Sequence, residues 1–250
     1  MKERTAIETA SSARRPLWLT LLGVVCLVGL GIGAYLALVV SPPDVNQGDL
    51  IRIMYAHVSV AWICFLAVAI AGLFAILYLW RGNPRDDMRA VANAESALVY
   101  SALTITGGMI YSKPTLNTFW TWDAKLTLTA IMLALIVGYF LVRALIDDPV
   151  RRGRVSAVVM IVVLVSLPFN YLAAEWFRTL HPAKSINLDG SGVSMDPTML
   201  MILLVNVAVA GLIYLFFVSE RIRIARQGYL AAADEASDAA ARPSEVVRVG

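Results

Sequence analysis

Apolar residues recur along this chain in six stretches, each long enough to cross the roughly 30 Å hydrocarbon core of a bilayer as a helix of about 20 residues. Lipid tolerates only segments whose backbone hydrogen bonds close internally. The short alternating segments of a membrane strand barrel are absent from the sequence. We therefore predict an all-α integral membrane protein, a bundle of six transmembrane helices at residues 17–40, 53–80, 91–112, 126–142, 155–174 and 199–218.

The composition supports this class and excludes several others. The 250 residues are 59% hydrophobic and 16% charged, whereas about 25% charge is usual for a soluble domain. The two cysteines, Cys26 and Cys64, lie within separate apolar runs without a C-x-x-C spacing, which argues against a disulfide framework or a zinc site. The net charge of +3, without a basic cluster among aromatic residues, argues against nucleic-acid binding.

Lysine and arginine residues are distributed unequally between alternate loops. Sixteen of the 21 lie in the two tails and in the second and fourth loops. The other loops hold only Arg52, Lys113, Lys125, Arg178 and Lys184. Because cytoplasmic loops carry the excess of basic residues, we predict that both termini are cytoplasmic and that the first, third and fifth loops face outward.

Both ends of the chain need a separate interpretation. A basic tail precedes the first apolar run, as in a signal peptide, but its 24 residues exceed an apolar signal core of about 7–15, so we expect a retained helix. After Arg226 the chain has no apolar face of useful length. We predict a transmembrane domain at 1–226 and a flexible cytoplasmic tail at 227–250, which begins as a short helical extension. No internal repeat supports an inverted-repeat transporter.

The third loop carries a polar and aromatic segment, 117–125 (NTFWTWDAK). Both histidines of the chain are predicted on the same membrane side as this segment. His57 lies about one helical turn inside the outer end of the second span, and His181 lies just beyond the fifth span. Neutral imidazole is a common axial ligand of haem iron, and two can saturate both axial positions.

The other needs of a haem can be met on this side. Phe119, Trp120 and Trp122 offer ring surface. Cationic partners for the propionates are available among Arg52, Lys113, Lys125, Arg178 and Lys184. The residues alone leave an alternative open, because tryptophans are common at any membrane interface and Asp123 with Lys125 can form a plain interfacial ion pair. A haem site and an ordinary membrane-edge cluster both fit.

Other polar residues favour structural roles. Glu95 lies near the cytoplasmic end of the third span, where its carboxylate can reach water, although carboxylates inside membranes are often functional. We expect Asn170 and Asn206 to hydrogen-bond between helices and Cys64 to contribute packing. Pro168 is expected to kink the fifth span before the His181 segment.

Three segments carry a resemblance to a known family. They are 52–58 (RIMYAHV), then Lys113-Pro114 and Thr118 with 120–127 (WTWDAKLT), and finally 176–181 (WFRTLH). In this order they resemble the haem-handling WWD-motif membrane proteins of cytochrome c biogenesis, and among these the cytochrome c maturation protein C family. The resemblance covers nearly the whole chain.

The resemblance implies a specific function. His57 and His181 would be the axial ligands of haem b, bound as cargo, and the WWD-type loop between helices 3 and 4, with Phe119, Trp120, Trp122 and Asp123, would hold the haem edge. Such a protein sits in the bacterial inner membrane and delivers haem from its periplasmic face to a periplasmic haem chaperone, cytochrome c maturation protein E. An ABC transporter pair (maturation proteins A and B) and a small single-span subunit (maturation protein D) are the implied partners. The implied role is haem transfer, with at most lyase-like assistance to haem attachment, and no enzyme activity of its own.

The chain departs from the family pattern at five positions. Leu116 and Phe119 stand where tryptophan is usual, Asn117 replaces glycine, Lys125 replaces arginine and Pro182 replaces glutamine. Phe119 keeps a ring but loses the indole donor. Lys125 keeps its charge but lacks the bidentate fork of arginine.

Three other functions compete with haem delivery. A synthetase that attaches haem to apocytochrome itself would resemble longer relatives with further histidines, and this chain has no third histidine. A transporter that moves haem across the bilayer would be expected to show a polar pathway through the membrane, but the spans carry few charges. A purely structural subunit of an ABC complex would not depend on His57 or His181.

Overall fold

A computed structural model describes residues 15–181 and 195–241 of the chain. All regular secondary structure in these residues is helical. Pro182 and Lys184, which the sequence analysis named, lie outside the described ranges. The helices are α1 (Leu17–Tyr35), continued by a π-helical turn (Leu36–Val40), α2 (Arg52–Arg81), which follows a 3-10 turn (Asp49–Ile51), α3 (Pro84–Leu116), α4 (Ala124–Leu145), α5 (Pro149–Trp176) and α6 (Pro197–Ala241). The six helices cover the six predicted spans.

Short polar residues mark where the helices begin. Asn83, Asp123 and Asp148 each accept a hydrogen bond from a backbone N–H in the first turn of α3, α4 and α5. Such caps satisfy N–H groups that have no partner inside the helix. Gly82 ends α2 in the left-handed conformation with a φ of 65°, which glycine adopts without a steric penalty.

Five of the six helices in the described part of the chain are long and apolar enough to cross a membrane. The exception is α3, which contains the predicted third span. It is long enough, but Ser, Thr, Tyr and Gly residues break up its apolar sequence. Several of these face other helices: Ser101 is fully buried, and Tyr100 donates a hydrogen bond to the carbonyl of Ala210 in α6. The six-span topology therefore stays a prediction at this helix.

The core lies around α2, which packs against α3, α5 and α6. Small residues allow these helices to approach closely. A β-carbon on Gly72 would lie 2.8 Å from side-chain atoms of Leu164, and one on Gly153 would lie 2.5 Å from the hydroxyl of Tyr78. Small residues at helix contacts are typical of membrane bundles, where close backbone approach replaces much of the hydrophobic driving force.

The predicted interhelical contacts of the two asparagines are confirmed. The Nδ2 of Asn206 donates to the carbonyl of Gly33 in α1 at 3.3 Å. Asn170, only 1% exposed, donates to the hydroxyl of Thr129 in α4 at 3.1 Å. Cys64 is buried with its sulfur 3.0 Å from the hydroxyl of Ser101, as expected of a packing residue. These uncharged polar side chains thus connect three pairs of helices: α1 with α6, α4 with α5, and α2 with α3.

The last helix extends beyond the predicted transmembrane domain. The proposed boundary between residues 226 and 227 falls inside α6, which continues without a break to Ala241. A helical extension was expected at this point. The remaining residues of the predicted tail, 242–250, lie outside the described part, so the proposed flexibility of the tail stays a prediction.

Candidate functional site

The predicted site residues meet at one end of the bundle, which we call the outer end. It consists of the first turns of α2, the last turns of α3, the loop 117–123 and the segment 177–181 that follows α5. The first outer loop joins it as well, because the hydroxyl of Tyr111 in α3 donates to the side chain of Gln47, and Tyr55 in α2 hydrogen-bonds Ser41 at 2.7 Å. Five segments of the chain therefore form one surface.

His57 occupies a recess formed by two glycines of α3. A β-carbon on Gly108 would lie 3.0 Å from Cε1 of the imidazole, and one on Gly107 would lie 3.5 Å from Nδ1. Tyr111 lies on the same face, with its ring centroid 6.4 Å from that of His57. The Nδ1 atom is buried and makes no hydrogen bond of normal geometry, although the backbone carbonyl of Thr104 lies near the ring. Because glycine has no β-carbon, α3 can pack directly against the imidazole of His57.

The second histidine lies near the first. His181 is half-buried and close enough to His57 for the two imidazoles to interact electrostatically. Its backbone N–H donates to the hydroxyl of Thr179 at 3.1 Å. The prediction that both imidazoles share one side of the molecule is therefore consistent with the folded arrangement.

The loop 117–123 is held in shape by hydrogen bonds from α3 and within itself. Asn117 ends α3 with a φ of 56°, in the left-handed region that asparagine tolerates better than most residues. This explains why a glycine would also suit this position. The hydroxyl of Ser112 donates to the carbonyl of Thr118 at 2.8 Å, and Thr118 donates to the carbonyl of Trp120 at 3.1 Å. The loop is a defined turn that presents its aromatic residues.

The three aromatic residues of the loop differ in burial. Trp120 is half-buried, and its Nε1 is buried without a hydrogen-bond partner. Trp122 is 79% exposed and packs edge-on against Trp120, with ring centroids 5.6 Å apart. Phe119 is exposed, and the ammonium of Lys113 lies 5.3 Å from its ring centroid. The loop therefore offers exposed aromatic ring surface and one buried N–H donor.

Asp123 connects the loop to the segment that carries His181. Its Oδ2 accepts from the hydroxyl of Thr121 at 2.9 Å, and its Oδ1 accepts from the N–H of Leu126 at 3.1 Å. Burial by itself would raise the pKa of the carboxyl, but hydrogen bonds from these two groups, from the side chain of Thr179 and from the N–H of Leu180 lower it. Asp123 is therefore an ionised acceptor that connects the two loops.

The predicted cations occupy different environments. Arg52 forms an ion pair with Asp49 at 2.8 Å and donates to the carbonyl of Leu38, so it fastens the first outer loop. The ammonium of Lys125 points inward and donates to the carbonyl of Asn170 at 2.7 Å. Arg178 is exposed and lines a cleft of about 230 Å³ together with Thr121, Asp123, Thr179 and Leu180. Arg178 is thus the candidate best placed to meet an anionic group from outside.

Buried polar atoms without hydrogen-bond partners concentrate at the outer end. In the described part of the chain there are six such side-chain atoms, and four belong to this end: Arg52 Nε, His57 Nδ1, Trp120 Nε1 and Thr127 Oγ1. Buried polar groups are normally paired, and an unpaired one in a native structure calls for a ligand, a water molecule or a strained role. This pattern fits a surface completed by a polar and aromatic ligand.

Two features of the site were missed by the sequence analysis. The Gly107-Gly108 pair lies within a helix, where glycine is unfavourable, and this cost signals a close approach by another group. Thr179 stands two residues before His181, and no sequence signal distinguishes it from an ordinary loop residue. Its role depends on contact with a carboxylate 56 positions earlier, which only the fold creates.

Comparison with known proteins identifies a family for this chain. A family model described as Heme exporter protein C matches residues 4–234. The Heme exporter protein C of Bradyrhizobium diazoefficiens is 32% identical over 198 residues, which cover 78% of this chain and 73% of the relative. That of Escherichia coli K12 is 29% identical over 183 residues, covering 73% and 71%. The matched residues span all parts of the outer end, and the chain belongs to the Heme exporter protein C family.

Proposed function

We propose that this protein binds haem b at its outer end and delivers it to a periplasmic haem chaperone during the biogenesis of c-type cytochromes. Membership of the Heme exporter protein C family supports haem handling as the general role. The observation that carries the proposal is the coincidence of both histidines with the unpaired polar atoms and exposed aromatic rings of one surface. The protein contributes ligation and positioning, which are the usual contributions of a protein to the chemistry of a bound cofactor.

In this proposal the two imidazoles ligate the haem iron. His57 is supported from behind by the glycines of α3, which restricts the directions in which its ring can present a nitrogen. His181 approaches from the segment after α5. A neutral imidazole offers one lone pair to a metal, so two histidines are sufficient for both axial positions. Haem is cargo here, and the ligands hold it only until it is passed on.

The loop 117–123 would contact the edge of the haem. Trp120 and Trp122 meet edge-on and, with Phe119, provide the apolar surface that a porphyrin ring favours. Arg178 is proposed to bind a propionate because its guanidinium is exposed beside the cleft. Arg52 and Lys125 already bind protein groups, so we propose that they support the site from beneath.

The proposed partners follow from the family. They are the haem chaperone (maturation protein E), the ABC transporter subunits (maturation proteins A and B) and a small single-span subunit (maturation protein D). The proposed location is the bacterial inner membrane, with the outer end toward the periplasm. Haem transfer requires this chain to make or break no covalent bond, so we propose that it is not an enzyme.

Haem titration of purified protein in nanodiscs tests the ligand assignment. We expect wild-type protein to give a low-spin spectrum and His57→Ala or His181→Ala to lose it, because each removes one of the two imidazoles. The double variant should bind haem at least tenfold more weakly. Cys64→Ala, deeper on α2, is a matched control that should keep the wild-type spectrum. Low-spin binding by both single variants would contradict the proposal.

A transfer assay tests delivery separately. Haem-loaded wild-type protein is mixed with the purified soluble domain of the chaperone, and the haem that becomes bound to the chaperone is measured over time. Trp122→Ala should slow transfer, because this ring is the most exposed of the loop. Equal transfer by wild type, Trp122→Ala and the double histidine variant would show that haem does not pass through this surface.

A further inference from the structure

We propose that Asp123 positions His181 through the hydroxyl of Thr179, so that the carboxylate of the loop holds an iron ligand in place without touching the haem. This inference rests on the proposed haem function and concerns how one of the two ligands is held. Asp123 is thus a positioning residue rather than part of the haem-binding surface.

The contacts form a continuous chain between the two loops. The side chain of Thr179 lies beside Asp123 in the cleft that both residues line, and as a donor it lowers the pKa of the carboxyl. The same hydroxyl accepts the backbone N–H of His181 at 3.1 Å. A threonine hydroxyl has one donor and two acceptor sites, so it can make both bonds at once. The N–H of Leu180, between these two residues, also donates to Asp123. Two bonds from adjacent residues therefore fix the backbone that carries the imidazole.

The number of donors explains why a carboxylate stands at this position. Four groups donate to Asp123: the hydroxyls of Thr121 and Thr179 and the N–H groups of Leu126 and Leu180. An ionised carboxylate has about four acceptor sites, whereas the oxygen of asparagine has two. Asparagine would still cap α4 through its oxygen, because it is as good a cap residue as aspartate. The single oxygen of asparagine cannot also accept from both donors of the segment 177–181, which are the hydroxyl of Thr179 and the N–H of Leu180.

The segment that carries His181 depends on these bonds because little packing holds it. Phe177, Arg178 and Leu180 are all exposed, so their side chains bury little surface against the bundle. Hydrogen bonds to ionised groups are stronger than those between neutral groups. The lowered pKa of Asp123 is consistent with this, since the four donors favour the ionised form. The carboxylate therefore stays an acceptor at neutral pH.

A set of variants in nanodiscs tests the chain of contacts. Thr179→Val removes the hydroxyl at nearly constant volume, and we expect haem affinity to fall roughly three- to tenfold, the size of effect that the loss of one ordinary hydrogen bond gives. Part of the bound haem should become high-spin, because His181 no longer reaches the iron reliably. Added imidazole should restore the low-spin bands. Thr179→Ser keeps the hydroxyl and should behave like wild type. The control Ser166→Ala loses a 2.7 Å bond within α5, away from the outer end, and should also behave like wild type.

Asp123→Asn should reproduce the spectrum of Thr179→Val, including its response to imidazole. The double variant should be no worse than the weaker single variant, because both changes interrupt one connection. Additive losses, or a wild-type spectrum in Thr179→Val, would overturn the inference. The proposed function and this inference can fail separately. The proposed function is contradicted if His181→Ala keeps the wild-type spectrum. The inference alone fails if His181→Ala loses the low-spin spectrum and Thr179→Val keeps it.

Discussion

The two ends of the bundle differ in how fully their buried polar residues are paired. At the inner end, opposite to His57 along the helices, charged residues are paired: Asp87 with Arg143 at 2.7 Å and Glu95 with Arg221 at 2.5 Å, both by two hydrogen bonds. At the outer end, four buried polar atoms in the described part of the chain lack partners, and aromatic rings are exposed. The inner end also has two unpaired atoms, on Asp86 and Tyr139, so the contrast is one of degree.

In the proposed function, the paired residues of the inner end stabilise the fold, and the unpaired residues of the outer end contact the ligand. A bidentate pair between Arg and carboxylate satisfies both partners and joins two helices. An unpaired buried donor does the reverse, because it lost water on folding and gained no partner. Substitutions at the inner end should therefore reduce stability, whereas substitutions at the outer end should reduce haem affinity.

The largest expected effect on stability is that of Arg143→Ala. Arg143 and Asp87 have side chains only 16% and 22% exposed, and Arg143 also donates to Ser156 at 2.9 Å. Removing the arginine leaves a largely buried carboxylate unpaired, which should cost about 2–4 kcal/mol. Thermal unfolding in detergent measures the loss. The exposed Arg151 provides the control Arg151→Ala, which should be neutral. If Arg143→Ala lowered haem affinity tenfold at unchanged stability, the separation of the two ends would be wrong.

The second effect concerns Lys125, which lies at the outer end but is paired with protein groups, like the charged residues of the inner end. Lys125 donates to the carbonyl and to the side-chain oxygen of Asn170, at 2.7 and 3.2 Å. Lys125→Met keeps the length of the side chain and removes these bonds, so stability should fall by about 1–3 kcal/mol. Haem affinity of the folded protein should change less than twofold. Calorimetry and haem titration of the same samples distinguish the outcomes, since a propionate partner would lose affinity and keep stability.

Sequence reasoning located the helices better than the contacts between them. The second span was predicted at 53–80, and α2 runs from Arg52 to Arg81. The agreement is close because the length of an apolar run and the glycine that ends it, Gly82, can both be read from the sequence. The π-helical turn after α1 and the inward direction of Lys125 were not predicted. They depend on which groups of other helices lie opposite, and periodicity carries no information on that. The same limit hid the contact between Asp123 and Thr179.

The third prediction concerns Trp120→Phe, which should not lower the stability of the haem-free protein but should lower its affinity for haem. Trp120→Phe keeps a ring and removes the buried N–H that lacks a partner. The protein without haem should be no less stable, because an unsatisfied donor is lost. If a haem group accepts this N–H, affinity should fall about fivefold, the equivalent of about 1 kcal/mol for one hydrogen bond. Unfolding and haem titration measure the two effects. Trp122→Phe, whose ring is 79% exposed, is the control, and an equal loss of affinity in both variants would assign the effect to the rings rather than to the N–H.

The smallest expected effect is that of Glu95→Gln at the inner end. Glu95 and Arg221 are bidentate, but their side chains are 34% and 40% exposed, so water already screens the pair. Exposed ion pairs contribute about 0.2–1 kcal/mol, and glutamine retains an acceptor for one of the two bonds. We therefore expect a loss near the lower value in thermal unfolding, and a wild-type haem spectrum. Arg221→Gln should give a similar loss, since either change removes the same charge pair. A carboxylate with a functional role inside the membrane would behave differently: Glu95→Gln would then abolish haem transfer to the chaperone at wild-type stability, while Arg221→Gln would not.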